Sequence, residues 1–460
     1  MVSQTNLSQG RGKGMHRRQF MKALTSLSLA SMANIQCSHE KQPNILFIMV
    51  DDFGYECLSC NGSTSYRTLN LDRLASQGMR FTQCHSTPLC TPTRVQLMTG
   101  KYNFRNYTEF GSLKPGETTF AHLFQQAGYR TCVAGKWQLS GEIEGASYKG
   151  KGTQPEKAGF DEHCLWQVNF RGSRFWEPSI QQNGELIKAI PGKFGPDIFV
   201  NYISDFIQRQ VKAQQKFMVY FPMVLTHDPF VPTPDSENAK ELVAQNARGP
   251  EFFDDFVHYT DQLVQRLINL LYRLDIERET LVIFTGDNGT HRRIVSQFKG
   301  ESYPGGKGLP LSSGTHVPLL IRQPGTIPAG KVHDTMIDFT DFLPTLTDAA
   351  RIPLPEDHVW DGKSFWAQCL GDMDHHREWI YCYYAPRWGR FDPAEWVQSA
   401  RYKLYADGRF YDLESDFYEQ NPIVPAPEEE SAFAAFTDLK NALAQMQAKR
   451  NTTNNLQRAR

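Results

Sequence analysis

The chain has 460 residues, 40% hydrophobic and 12% aromatic, with a formal net charge of −1. That length supports a large core and exceeds one ordinary domain, so a large domain with a smaller companion is expected. The near-neutral balance argues against nucleic acid as a partner, and nine scattered cysteines, an odd number, are not a disulfide framework.

In chain order, the first informative stretch is His16-Arg17-Arg18-Gln19-Phe20-Met21-Lys22, a twin-arginine pattern ahead of a modest apolar run over 23–33. The run is too short to span a bilayer, and Ser31-Met32-Ala33 fits a small-x-small cleavage site. Residues 1–33 therefore read as a bacterial twin-arginine export signal, and the mature protein as periplasmic or extracellular. Cys37 follows Gln36 rather than a small residue, which makes a poor lipobox, so a lipid anchor there is the minor reading. No other apolar run approaches transmembrane length, and no stable membrane span is expected.

Residues 44–50, apolar from Ile45 onward, have the pattern of a strand buried on both faces and end at Asp51-Asp52. Asn70 is expected to cap a short helix carrying Leu71, Leu74 and Ala75, and Thr118 to open another with Phe120, Leu123 and Phe124 on one face. A strand over 131–134 leads to Gly135-Lys136. Residues 140–196, rich in glycine, aromatic and polar residues, read as long loops and short strands over one end of a sheet. A helix over 197–211, a strand over 217–221 running to Thr226-His227, and a long helix over 251–274 follow. Strands over 281–284, ending at Asp287-Asn288, and over 318–321 complete this part.

Such alternation predicts an α/β fold: a large, mostly parallel central sheet with helices on both faces. In such sheets ligands bind beyond the carboxyl ends of the strands. Asp51, Asp52, Lys136, His227, Asp287 and Asn288 all fall just past strand ends. After Pro353 the pattern changes to short strands over 381–384, 400–405 and 409–413 and a helix from Pro427 that fades after Lys449. This predicts a smaller C-terminal antiparallel sheet with a packed helix. The expected organisation is a catalytic domain over 44–351, a subdomain over 352–449 and a polar tail over 450–460.

The chain is organised around Cys90-Thr91-Pro92-Thr93-Arg94, a loop running into a helix with Pro92 in its first turn. A cysteine there sits where backbone N–H groups and the helix dipole favour negative charge, and Arg94, one turn on, faces the same spot. Together they point to chemistry on an anionic ester. Asp51, Asp52, Asp287 and Asn288 add a hard, all-oxygen set suited to Ca²⁺ or Mg²⁺ rather than Zn²⁺. Taken singly, each of these motifs also reads as a cap or a structural side chain. Cys57-x-x-Cys60 has no second pair and reads as two ordinary cysteines or one local disulfide.

C-T-P-T-R followed by L-M-T-G resembles the signature of the type I, formylglycine-dependent sulfatases of the alkaline phosphatase superfamily. V-D-D-F-G, G-K-W-Q-L, T-H-D-P-F, T-G-D-N-G, G-G-K-G and G-T-H-V-P follow the same family's pattern, over roughly residues 44–413. The resemblance implies an arylsulfatase-like sulfuric ester hydrolase whose Cys90 is oxidised to formylglycine by a maturation enzyme. It also implies one Ca²⁺ held by Asp51, Asp52, Asp287, Asn288 and residue 90, with Arg94, Lys136, His227 and Lys307 as the clamp on sulfate. One hydroxyl of the hydrated aldehyde attacks sulfur, and the alcohol leaves, protonated by His227 or held by Lys307. The second hydroxyl then collapses to the aldehyde and expels sulfate. The expected substrate is a sulfated sugar or glycan fragment, with Trp166, Arg171, Arg174 and His291 as candidate substrate-binding residues.

Two positions depart from the family. Gln138 stands where it has histidine, and His316 where it has arginine. Glutamine hydrogen-bonds but is not a base near neutral pH. Either His291, His163 or His316 takes that part, or water does, or the step is slowed. Two other readings stay open: a phosphodiesterase or phosphonate hydrolase of the same superfamily, and a non-catalytic binder of sulfated glycan.

Overall fold

The computed structural model describes residues 42–374, 377–389 and 391–458. The twin-arginine pattern, its cleavage site and Cys37 lie outside the described residues. The apolar run predicted as a buried strand is β1 (Asn44–Val50), every residue of which is buried. Its side chains alternate between two cores, as a period of two requires. Leu46, Ile48 and Val50 enter one core; Ile45, Phe47 and Met49 enter the other.

Around β1 stand β2 (Met79–His85), β3 (Arg130–Lys136), β4 (Glu162–Trp166), β5 (Ile180–Gln182), β6 (Glu185–Ile187), β7 (Phe217–Pro222) and β8 (Thr280–Gly286). A two-stranded hairpin, β9 (Val295–Phe298) and β10 (Glu301–Pro304), is separate; β11 (His316–Arg322) and β12 (Lys331–Asp338) rejoin the main sheet. The ten-stranded order is β12-β2-β11-β8-β1-β7-β3-β4-β5-β6. Its centre, β8-β1-β7-β3-β4, is parallel throughout, whereas β11 runs antiparallel to both β8 and β2. Helices α1 (Leu69–Ser76), α4 (Gly195–Lys212) and α5 (Phe253–Arg273) cover one face. Helices α2 (Cys90–Thr99), α3 (Phe120–Gln126) and α6 (Phe342–Ala349) cover the other. No helix among the described residues is long and apolar enough to cross a membrane.

The expected caps shift slightly. Thr119 rather than Thr118 caps α3, in a capping box with His122. Thr68 rather than Asn70 precedes α1, because the Asn70 side chain donates to Asp261 on α5 instead (2.7 Å). Cys57 and Cys60 are free thiols, so no local disulfide joins them.

A second, four-stranded antiparallel sheet, β13 (Ile380–Tyr384), β14 (Ala394–Gln398), β15 (Tyr402–Tyr405) and β16 (Phe410–Asp412), carries α7 (Glu430–Arg458). The helix continues past Lys449 through mostly polar residues to Arg458. Alternation again sets the two faces. Tyr381, Val397, Tyr402 and Leu404 pack under Leu439, Ala442, Leu443 and Met446 of α7. Cys382, Tyr384, Trp396 and Tyr405 pack against Leu89, Cys90 and Phe110. The small sheet thus backs the start of α2.

Candidate active site

Parallel pairing brings the carboxyl ends of β8, β1, β7 and β3 to one edge, with Val50 opposite Gly286 and Met49 opposite Pro222. Just beyond, Asp51 N donates to Leu225 O (2.8 Å) and Asp287 N to Val50 O (2.9 Å), which fixes where both carboxylates emerge. Asp52 turns in the left-handed region (φ 59°), and its N–H donates to Asp287 Oδ1 at 3.0 Å. Gly135, at φ 125°, has no room for a side chain: a Cβ would lie 1.9 Å from Pro222 O. That close approach seats Lys136 beside Asp51.

The cations interleave with the carboxylates. Lys136 Nζ lies 2.7 Å from Asp51 Oδ2, and Lys307 Nζ 2.6 Å from Asp52 Oδ2. Arg94 donates through Nε and Nη2 to Asp287 Oδ2 and through Nη1 to Lys136 O. His227 bonds Asp228 O through Nδ1 (2.7 Å), with Nε2 3.9 Å from Asp52 Oδ2. Burial opposes ionisation of Asp51, yet Lys136, His227, Arg94 and Lys307 hold it well below the usual carboxylate range. Burial and repulsion from Asp51 instead push Asp287 up to about 7 against the pull of Arg94. Burial lowers His227. Against its own burial, Asp52 pulls Lys307 up.

Cys90 opens α2, buried, with Sγ 3.5 Å from Gln138 Oε1, and burial pushes its thiol up. Ligand atoms of Asp51, Cys90 and Asp287 lie within 4.8 Å of one another, as do those of Asp51, Asp52 and His227. Asp51 Oδ1 and Asn288 Oδ1 are buried with no hydrogen-bond partner, while Asn288 Nδ2 donates to Asp52 Oδ1 (2.9 Å). Orphaned oxygens in a hard donor set fit a hard divalent cation.

The site opens into a cavity of about 290 Å³ that Cys90, Gln138, Trp166, Arg171, Arg174, His227, His291 and Lys307 all line. Arg174 stacks on Trp166, guanidinium carbon 4.0 Å from the ring centre, and its Nη1 has no hydrogen-bond partner. The His291 ring meets Phe230 edge-on, and its Nδ1 accepts from Arg293 N (3.2 Å). His163 and His316 do not line this cavity. His163 accepts from Gly184 N, whereas His316 stacks on Tyr55 (4.0 Å) and His85 and is pushed by burial down to about 4. Of the three histidines weighed as substitutes for Gln138, His291 alone reaches the site.

Several lining residues escaped the sequence reading: Phe110, Tyr148, Asp228, Arg292, Trp388 and Phe391. Asp228 and Arg292 adjoin predicted residues, a usable signal. Tyr148 comes from an aperiodic loop and Trp388 from the approach to the small sheet, where no local pattern marks them.

An acidic, oxygen-rich cluster interleaved with fixed cations at the carboxyl edge of a parallel sheet has the layout of an alkaline-phosphatase-like ester hydrolase. Residues 43–352 match the sulfatase family, and residues 307–449 match the family described as N-sulphoglucosamine sulphohydrolase, C-terminal. The chain is 30% identical over 371 residues to N-acetylgalactosamine-6-sulfatase of Canis lupus familiaris, covering 74% of this chain and 68% of that protein. It is 27% identical over 415 residues to N-acetylgalactosamine-6-O-sulfatase of Bacteroides thetaiotaomicron, covering 74% and 79%. A structure solved in complex with its substrate D-glucosamine-2-N,6-O-disulfate shares the fold, with a TM-score of 0.71 at 21% identity, covering 90% of this chain and 99% of that one. The chain belongs to the sulfatase family of the alkaline phosphatase superfamily and is a sulfuric ester hydrolase.

Proposed function

We propose that this chain is an exported enzyme that removes sulfate from a sulfated sugar or glycan fragment, using a formylglycine formed at Cys90 by a maturation enzyme and one Ca²⁺. The observation that carries the reading is that Cys90 Sγ shares one buried cluster with the carboxylates of Asp51 and Asp287, beside two orphaned oxygens. Asp51, Asp52, Asp287 and Asn288, with residue 90, would hold the ion, which when bound supplies a Lewis acid beside the residue-90 oxygen. A hydrated aldehyde at residue 90 supplies a nucleophile whose second hydroxyl later releases sulfate without an external water.

The chain's own groups do the rest. Arg94 keeps Asp287 in place. Lys136 and Lys307 are fixed cations for the charge that grows on sulfate oxygens as the S–O bond breaks. His227 lines the cavity with Nδ1 tied to Asp228 O, and its Nε2 lies 3.9 Å from Asp52 Oδ2. The charge of a bound sulfate ester raises the imidazole, so it can pass a proton to the departing alcohol oxygen. Arg174, Arg171 and Arg292 suit further acidic groups on a sugar, and Phe110, Trp388 and Phe391 offer flat faces for its ring. Relatives named for N-acetylgalactosamine 6-sulfatase activity, and the structural neighbour bound to a glucosamine disulfate, support a sulfated sugar. The twin-arginine pattern over 16–22 supports export, and the separate four-stranded sheet supports the division near residue 351.

The deciding experiment is mass analysis of the Cys90 peptide after co-expression with a formylglycine-generating enzyme, paired with a screen of sulfated mono- and disaccharides. Aldehyde at residue 90 together with sulfate release is expected. Fully active protein that keeps the thiol would overturn the covalent reading.

A further inference from the structure

Gln138 and Gln167 sit just past the ends of β3 and β4, and both are left-handed, with φ of 55° and 64°. Gln138 N donates to Gln167 O at 3.1 Å, so the two turns are tied together. Non-glycine residues in that region are strained and persist only where their surroundings over-determine them. The third member here is Tyr148. Its phenol oxygen accepts from Gln138 Nε2 (2.5 Å) and from Gln167 Nε2 (2.9 Å). Two amides from two strand ends therefore converge on one hydroxyl at the cavity wall.

The consequence falls on residue 90. An amide side chain has a donor end and an acceptor end, and which end faces a neighbour is set by what the other end binds. With its Nε2 held by Tyr148, Gln138 turns Oε1 toward Cys90 Sγ at 3.5 Å. We propose that Tyr148 is a positioning residue: by anchoring Gln138 and Gln167 together, it fixes the Gln138 amide with its acceptor oxygen toward the reacting group on residue 90. This rests on the reading that residue 90 carries the reacting hydroxyl. A flipped amide would present N–H groups to that hydroxyl and give its proton no acceptor.

The test uses full-length, matured protein and 4-nitrophenyl sulfate as probe. Tyr148→Phe is expected to lower kcat about tenfold or more with KM nearly unchanged. In a Gln138→His background, where a ring nitrogen faces residue 90 with no amide to orient, the same change should have little effect. An equal loss in both backgrounds, or a loss in KM, would make Tyr148 a substrate contact and overturn the proposal; so would an unchanged kcat. A readout without turnover comes from the side-chain amide resonances of glutamine-labelled protein, assigned from Gln138→His and Gln167→Leu samples. Tyr148→Phe should shift both Gln138 and Gln167, and resonances that stay in place would sink the anchoring. Matured wild-type protein with no sulfate release from any ester would defeat the functional reading instead, and the amide resonances would still decide whether Tyr148 orients Gln138.

Discussion

Arg94 grips Asp287 Oδ2 through two nitrogens, Nε at 3.1 Å and Nη2 at 2.9 Å, and both side chains are buried. Asp287 Oδ1 meanwhile accepts the backbone N–H of Asp52. The carboxylate is therefore a structural hub as well as a candidate ligand, which decides how it should be mutated. Removing one partner of a buried pair costs about 3–5 kcal/mol, because the other is left charged and alone.

Asp287→Asn keeps the shape and one oxygen but strands the Arg94 charge, so it is expected to fold with a lowered melting temperature while losing Ca²⁺ binding and turnover. Arg94→Ala should lower stability by about 3–5 kcal/mol. Thermal melts and calcium titration of both variants check this. Chelator-treated enzyme that retained full activity would remove the metal from the account.

Lys307 is the cation beside Asp52 that also lines the cavity. Lys307→Ala should cut kcat by about 10²–10³-fold, the usual loss when one fixed donor to developing charge is deleted. Steady-state rates with one aryl sulfate measure it, and a loss confined to KM would show that the lysine only binds substrate.

Fixed cations attract the oxygens of a phosphate ester as they do those of a sulfate ester, so under the proposed function leaving-group chemistry has to discriminate between the two. Release by elimination from a formylglycine ester favours sulfate, so kcat/KM should be higher for an aryl sulfate than for the matching aryl phosphate. A paired assay with one aryl group compares them, and a reversed preference would move the assignment to phosphoryl chemistry.

Glu56 is buried beneath the loop that carries Asp287, with Oε1 bonded to Thr290 and Oε2 without a partner. Burial pushes its carboxyl up from 4.5 to about 7. The folded state therefore binds the extra proton between those values. Stability should fall as pH rises through that window, by about 3 kcal/mol in all. Glu56→Gln, which stays neutral, should flatten the fall and melt higher than the parent above about pH 7. Melting curves at about pH 5 and about pH 8 test the sign. Parallel curves for parent and variant would show that Glu56 does not titrate there.

Much of the centre was legible because ligand and scaffold are neighbours in the chain. The apolar run of β1 and the Asp51-Asp52 that follows it are consecutive residues, as are β8 and Asp287-Asn288. β2 and β12 were not predicted. Met79–His85 mixes Arg80, Thr82 and Gln83 among its apolar positions, and Lys331–Asp338 carries Lys331, His333, Asp334 and Thr335, so neither has the continuous apolar signature of the central strands.

What the sequence determined by itself was chemistry: which residue types stand at strand ends, and the C-T-P-T-R context of Cys90. What only the tertiary structure decided was who meets whom. Lys307 reaches Asp52 across 255 positions and Arg94 reaches Asp287 across 193, contacts set by strand order and crossover, which no local pattern encodes. Tyr148 is the clearest case, since its loop has no periodicity and its partners emerge from two strands that it neighbours only after the sheet has formed. The physical reason is that propensity and spacing act over a turn or a strand, whereas a site of this kind is assembled by the non-local pairing of parallel strands.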